Sequence, residues 1–201
     1  MIKAIIFDWF GVCTKENWAD CIARELPDKL GVDEQTVRAV FKSLIQPFAR
    51  AEITPEEFLQ KLIGSLSKTA DPNQYECLFH QTIPEINTDL LGIIQKLKSK
   101  YKIYLVSNNF GPVFPNFEKQ IDFNKYFDKL FLSHELKMSK TQPEIWDKIL
   151  PEIEYEPNEL VFIDNKEKYF EPVNKLGLNT ILYKSNEQVI TELQSLGVSV
   201  E

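Results

Sequence analysis

An apolar run that stops at an aspartate sets the limits on what this chain can fold into. Ala4, Ile5, Ile6 and Phe7 are followed by Asp8 and the turn Trp9-Phe10-Gly11. A run that is apolar on both faces of the pleat suits a strand buried inside a parallel sheet. Asp8 then stands at the carboxyl end of that strand, the edge where ligands bind in open α/β sheets. A carboxylate there acts as a nucleophile, a metal ligand or both, or it simply caps the turn that follows. Gly11 lets the chain turn sharply just beyond it.

The chain has 201 residues, room for one domain of ordinary size and a sizeable insertion. At 43% hydrophobic and 26% charged it is globular and not disordered. The net charge of -7, with no block rich in Lys and Arg, speaks against a nucleic-acid or anionic-membrane surface. Cys13, Cys21 and Cys77 are three in number and show no C-x-x-C spacing. They read as reduced thiols, not as a disulfide framework or a zinc site. The opening MIKAIIFDW lacks a signal-peptide layout, and no run approaches the roughly 20 apolar residues of a membrane span. The expectation is a soluble, cytoplasmic protein.

The pattern after the first strand is helical for about seventy residues. Trp18, Cys21, Ile22, Leu26 and Leu30 recur at helical spacing up to Gly31, and Val37, Val40, Phe41, Leu44 and Ile45 form a second stripe broken near Pro47. Thr54-Pro55-Glu56-Glu57 is a helix start, and a further short helix is expected over 73–82. Strands and helices then alternate: helix 88–98, strand 101–106, helix 114–123, strand 129–132, helix 142–150, strand 159–163, a helix closing at Gly177, strand 179–183 and helix 188–196. Alternation of this kind implies a parallel sheet with right-handed crossovers. The fold class expected is α/β, a Rossmann-like three-layer core. Residues 1–13 and 84–201 would form that core, and 14–83 a helical cap inserted after the first strand.

The buried strands stop at Asp8, Ser107, Ser133 and Asp164. In a parallel sheet those ends share one edge, so Asp8, Ser107 and Asp164 can converge, with Lys140 just ahead of a helix that starts on the same edge. Two carboxylates, a hydroxyl and an ammonium suit phosphoryl transfer: a carboxylate nucleophile, a divalent cation held by carboxylates, and a hydroxyl and a lysine on phosphate oxygens. Mg²⁺ between the two acids would remove their repulsion.

These stretches resemble the motifs of the haloacid dehalogenase superfamily of hydrolases. FDWFGV is similar to its first motif, LVSNN with Ser107 to its second, Lys140 in SHELKMSKTQPEIW to its third, and VFIDN with Asp164 to its fourth. The helical block resembles the superfamily's small cap. The SHEL…K…PEIW region most resembles the phosphatase branch with glucose-1-phosphate phosphatases and the N-terminal domain of soluble epoxide hydrolase. The resemblance implies that Asp8 is a nucleophile forming an aspartyl-phosphate. Asp8, Asp164 and the backbone carbonyl of Phe10 would hold Mg²⁺. Ser107 and Lys140 would bind phosphate, with Lys140 also restraining Asp8, and Asn108 would support or contact substrate. The substrate class implied is a small phosphate monoester such as a sugar phosphate.

The sequence departs from the pattern at Phe10, where the superfamily's phosphatases carry a second aspartate as general acid, a role worth about 10²–10⁴-fold. Asn165 and Lys168 stand where further acids are common, and Thr-Gln-Pro follows Lys140. An aromatic at position 10 suits a 2-haloacid dehalogenase, whose departing halide needs no proton; the carboxylate of Asp164 suits the phosphatase. A non-catalytic member that binds a phosphorylated ligand is a third reading. Cys13, Trp18, Phe48 and Trp146 read as packing, His80 and His134 as surface or local hydrogen-bonding groups, and Arg50 as a solvated helix-end charge. Trp9 and Phe10 read equally as substrate wall or core, and Lys166 and Lys168 as a solvent-facing loop that could replace part of a metal's charge.

Overall fold

Why Asp8 and Asp164 meet follows from strand order and register. Strands β1 (Ala4–Phe7), β2 (Lys102–Ser107), β3 (Lys129–Leu132), β4 (Leu160–Asp164) and β5 (Asn179–Leu182) form one parallel sheet in the order β3-β2-β1-β4-β5. In this computed structural model, which describes residues 1–200, Phe7 of the central strand pairs with Leu105 of β2 and Ile163 of β4. One residue further on, Asp8 and Asp164 emerge side by side, and the Asp8 N–H still donates to the Ile163 carbonyl at 2.9 Å.

Side-chain alternation divides the core in two. Ile5 and Phe7 pack with Ile103, Leu105, Val161 and Ile163 in one layer, whereas Ala4 and Ile6 pack with Tyr104, Val106, Leu160 and Phe162 in the other. Both layers are dry, which is why β1 reads as uninterruptedly apolar.

Between β1 and α5 lie α1 (Trp18–Leu30), α2 (Glu34–Ala49), α3 (Pro55–Leu66) and α4 (Leu78–Gln81); α5 itself is Thr88–Leu97. The later helices are α6 (Pro115–Glu118), α7 (Ser133–Leu136), α8 (Ile145–Ile149), α9 (Phe170–Lys175) and α10 (Asn186–Ser195). Leu90, Leu91 and Ile94 of α5 and Val189 and Leu193 of α10 cover the Ile5/Phe7 face; Ile145, Trp146 and Ile149 of α8 and Val173 of α9 cover the other. The result is a helix–sheet–helix sandwich, the three-layer α/β arrangement expected.

Local chemistry sets the helix ends. Asp33 accepts from the Thr36 N–H at 2.8 Å at the start of α2, and Thr54 and Glu57 cap α3 reciprocally. Gly31 closes α1 in the left-handed region, φ 66°. Several expected helices differ. Helix α2 runs through Pro47 to Ala49, because a proline in the last turn removes only one bond before the helix stops. The helix expected over 142–150 starts at Ile145: the Gln142 N–H donates to Ser139 in a tight turn at 2.8 Å and postpones it. That expected over 114–123 shrinks to α6, since Asp122 accepts from Asn124 and starts a separate 3₁₀ turn. Residues 73–82 divide into a 3₁₀ turn at Pro72–Tyr75 and α4.

The helical block leaves and rejoins the sheet at one point, where Thr14 and Ile86 form an antiparallel bridge. Its apolar faces close on aromatic rings. Trp18 lies 5.5 Å from Phe41, 5.9 Å from Phe58, 6.0 Å from Phe79 and 4.9 Å from Phe110, which follows β2. Phe48 stacks on Phe58 at 4.2 Å and on Phe110 at 5.4 Å. These residues belong to the same continuous core as Ile5 and Phe7, so the block packs on the sheet and has no separate interior.

Candidate active site

The loop that follows β1 is built to present Asp8. Phe10 is extended (φ -72°, ψ 118°) and Gly11 left-handed (φ 77°, ψ 12°), and the turn closes where the Thr14 N–H donates to the Trp9 carbonyl at 3.0 Å. A Cβ at Gly11 would collide with the Asn165 side-chain amide in the loop after β4, so glycine is required for space as well as for backbone angle. The Trp9 N–H donates to Asp8 Oδ1 at 2.7 Å, fixing the carboxylate.

Lys140 joins the two acids. Its Nζ lies 2.7 Å from Asp8 Oδ1 and 2.5 Å from Asp164 Oδ2, and all three side chains are at most 5% exposed. The other Asp164 oxygen accepts from the Lys166 N–H at 2.8 Å. Burial works against the Lys140 charge, but Asp164 and Asp8 together outweigh it and hold the ammonium protonated. Burial, and then the neighbouring Asp8 charge, push the Asp164 carboxyl up to about 6, with Lys140 pulling it back. Two acids share one cation here.

Asn108 supports this arrangement. Its side-chain carbonyl accepts from the Lys140 backbone N–H at 2.8 Å, and its amide donates to the Tyr169 hydroxyl at 3.3 Å. The Tyr169 ring centroid lies 4.8 Å from Lys140 Nζ; burial pushes its phenol up to about 12, so it stays neutral. Ser107 ends β2 one residue earlier, and its hydroxyl is buried without a hydrogen-bonding partner. Ser107 is not among the side chains lining the adjoining cavity. Ser133, another strand-end residue, faces away from this chemistry: its hydroxyl donates to the Ala49 carbonyl at 2.6 Å and so ties α2 to the sheet edge.

A cavity of about 290 Å³ opens over Asp8, Asn108 and Lys140, roofed by Trp18, Phe41 and Gln46 from the helical block. Phe10 lines it and also packs on Phe110 and Phe117 at 5.8 and 5.9 Å, so it is at once pocket wall and core. Trp9 is wholly core, within 5.1 Å of Phe117 and 4.9 Å of Phe123. Lys166 and Lys168 line the cavity instead of merely facing solvent. Arg50 pairs with Glu52 at 2.7 Å, and exposed His80 meets Asn116 at 3.4 Å. The three cysteines are unpaired, and burial pushes Cys13 well up.

Tyr169 and Gln46 escaped sequence reasoning. Gln46 Oε1 accepts from Ser139 and Thr141, either side of Lys140, at 3.0 and 3.2 Å. Tyr169 carried a faint signal, an aromatic five residues after a strand-ending aspartate; Gln46 carried none.

Among the described residues no three His, Cys, Asp or Glu side chains are grouped to hold a metal. The oxygen donors present are two carboxylates and nearby carbonyls, including the buried, unpartnered Asn165 Oδ1. Magnesium is commonly bound by one or two carboxylates, water and substrate phosphate, whereas zinc and its neighbours favour several His or Cys ligands. The all-oxygen donor set therefore fits Mg²⁺.

The family model for haloacid dehalogenase-like hydrolases matches residues 2–167. The chain is 25% identical to D-ribitol-5-phosphate phosphatase of Bacteroides thetaiotaomicron over 191 residues, 90% of this chain and 91% of that one. It is 25% identical over 215 residues to bifunctional epoxide hydrolase 2 of Sus scrofa, matching 97% of this chain but 39% of that longer protein. A crystal structure of a haloacid dehalogenase family enzyme from Bacteroides thetaiotaomicron, a mutant in complex with magnesium and inorganic phosphate, superposes with a TM-score of 0.76. It is 26% identical, and the match covers 92% of this chain and 96% of that one. A haloacid dehalogenase from Xanthobacter autotrophicus shares the fold at 15% identity, with a TM-score of 0.62 over 99% of this chain and 85% of that one. No described helix is long and apolar enough to cross a membrane. With a family match over residues 2–167, most of its length, the chain belongs to the haloacid dehalogenase-like hydrolases.

Proposed function

We propose that this hydrolase cleaves small phosphate monoesters through Asp8. The observation that carries the reading is the Lys140 ammonium held between Asp8 and Asp164 beneath a cavity roofed by the helical block. Asp8 attacks phosphorus with a carboxylate oxygen, the ester oxygen departs, and water then hydrolyses the aspartyl-phosphate to release inorganic phosphate. Lys140 holds Asp8 in position, and its charge offsets that of the phosphoryl oxygens. Ser107, one residue before Asn108 on the same edge, is the hydroxyl assigned to phosphate, and Asn108 positions Lys140 through its backbone N–H. Mg²⁺, held by Asp8, Asp164 and the Phe10 carbonyl, would add charge neutralisation at the phosphoryl group. The helical block, residues 14–83, acts as the cap that excludes water from the cavity.

Phe10 offers no proton to the departing oxygen, and among the described residues Asp8 is the sole carboxylic acid lining the cavity. Turnover should therefore favour esters whose alcohols leave readily, such as aryl or anomeric sugar phosphates. The same residue supports a second reading, in which the site binds a phosphorylated ligand and does not turn it over.

The test is phosphate release with Mg²⁺ across sugar phosphates, nucleotides and an aryl phosphate, with Asp8→Asn as the blank. Activity lost in the blank, ranked by leaving-group acidity, is the expected result. Absence of release above the blank, with tight phosphate binding retained, would establish the binding reading. Halide release from 2-chloropropionate without metal would replace both with dehalogenation.

A further inference from the structure

The cavity over Asp8 is far more basic than the chain that surrounds it. Arg38 and Lys42 of α2 line it from above, Lys166 and Lys168 of the loop after β4 from the side, and Lys140 from below, against the single carboxylate of Asp8. The chain as a whole carries 23 Lys and Arg against 30 Asp and Glu, so this grouping runs against its composition.

Two of the five cations are already engaged. Lys140 sits between Asp8 and Asp164, and Arg38 is held by Asp20 at 2.6 Å and Glu34 at 2.7 Å. Among the described residues, Lys42, Lys166 and Lys168 have no carboxylate within ion-pair distance. They also act on one another. Burial first, then the Lys166 charge, and Lys42 and Lys140 beyond it, make protonation of Lys168 less favourable, with Asp164 opposing. Three ammonium groups from two separate parts of the fold thus line one cavity with no carboxylate in ion-pair contact, and Lys42 and Lys168 are solvent-exposed, where an anion entering the cavity can meet them.

The position of Lys168 relative to Lys140 bounds the length of that anion. The Nζ atoms of Lys168 and Lys140 lie 4.9 and 4.8 Å from the centroid of the same Tyr169 ring. The two ammonium groups are therefore within about 10 Å of each other, the span of a small metabolite. A phosphate beside Asp8 and Lys140 leaves Lys42, Lys166 and Lys168 to meet the other end of the same molecule.

We propose that Lys42, Lys166 and Lys168 form a subsite for a second anionic group, so that the substrate is a small phosphate monoester that also carries a carboxylate or a second phosphate. The proposal rests on the phosphatase reading only for the identity of the first anion. It separates this chain from hydrolases of neutral polyol phosphates, whose far end asks for hydroxyl partners and not for charge.

The test is calorimetric binding to the Asp8→Asn protein, which removes turnover from the measurement. Glycerol 3-phosphate is compared with 3-phosphoglycerate, and fructose 6-phosphate with fructose 1,6-bisphosphate. In at least one pair the second anion is expected to tighten binding about tenfold or more, a gain that shrinks as salt is raised. The pair that responds identifies the second anion as carboxylate or phosphate. Adding Lys42→Met and Lys168→Met should collapse that preference to within about twofold, while Lys42→Arg and Lys168→Arg should keep most of it. Lys61→Met, an exposed charge removed elsewhere on the helical block, should leave the preference in place. Equal affinities within both pairs, or a preference that survives both methionine substitutions, would overturn the proposal. A protein that hydrolyses monoesters without any such preference sinks the subsite alone. One that shows the preference but releases no phosphate sinks the phosphatase reading and leaves the subsite standing.

Discussion

Lys140 is one buried cation between two buried acids, and removing it is worse than never having had it. Lys140→Met would leave Asp8 and Asp164 facing each other in a dry pocket, and uncompensated buried charge costs about 3–5 kcal/mol. Urea unfolding should show that loss, and Asp164→Asn added to Lys140→Met should recover part of it, a non-additivity that independent sites do not give. Gly11 is a second single-residue constraint. Gly11→Ala forces a side chain into left-handed backbone and against Asn165, so a loss of about 1–3 kcal/mol is expected, together with reduced phosphate release because Asn165 adjoins Asp164. Phe10→Asp poses the opposite trade. It buries a carboxyl against Phe110 and Phe117, lowering the melting temperature, yet it should raise turnover of poor leaving groups by up to about 10²–10⁴-fold if a proton donor is what the site lacks. Asp8 and Asp164 were legible one by one, because a polar residue ending an apolar strand is visible in the letters, whereas Lys140 was legible only from its place ahead of an expected helix and from the motif it resembles. Tyr169 and Gln46 were not, because their roles depend on which side chains lie across from them.

Between elements, the contact that matters most to the site is that of α2 with the loop carrying Lys140. Gln46 ties both Ser139 and Thr141 to the helix, and Ser133 ties its last turn to the sheet edge. Gln46→Leu keeps the bulk and removes the acceptor. Faster amide hydrogen exchange is expected across 139–141, with a raised KM and little change in global stability beyond about 1 kcal/mol. Exchange unchanged in that segment would mean that the loop holds itself. The apolar stripe of α2 was readable from its period, but not that its Arg38, Lys42 and Gln46 would overhang the carboxyl edge of the sheet. Helical spacing says which residues share a face and nothing about what that face meets. The short helices 115–118 and 145–149 were overestimated for a related reason: local turns at Asp122 and Gln142 compete with helix, and their hydrogen bonds are set by residues two or three positions away.

For the whole molecule, His134 and Asp164 contribute to the pH dependence of stability with opposite sign. Burial, the leading influence, holds the His134 imidazole below its usual 6.5. As pH falls below 6.5 the unfolded chain takes that proton first, so stability is lost on acidification through this window. Asp164, raised to about 6, behaves the other way: the folded chain takes its proton first, so acidification from about 6 toward 3.8 favours the fold. His134→Gln removes the first contribution alone. The variant should lose less stability than the parent between pH 7 and pH 5, read as unfolding midpoints in urea across that range; parallel curves would show that the imidazole does not contribute.

The alternation of apolar runs with helical stripes, and the polar residue closing each run, were enough by themselves to specify a parallel α/β sheet with Asp8, Ser107 and Asp164 on one edge, since strand period and crossover handedness are local and general rules. What the tertiary structure alone decided is how close those groups come and what covers them. Lys140 reaches both acids because strands β1 and β4 are neighbours in register, and Lys42 faces Lys168 because the aromatic cluster around Trp18 seats α2 over the loop after β4. Both depend on long-range packing, whose distances come from the summed fit of many side chains and not from any one stretch of sequence.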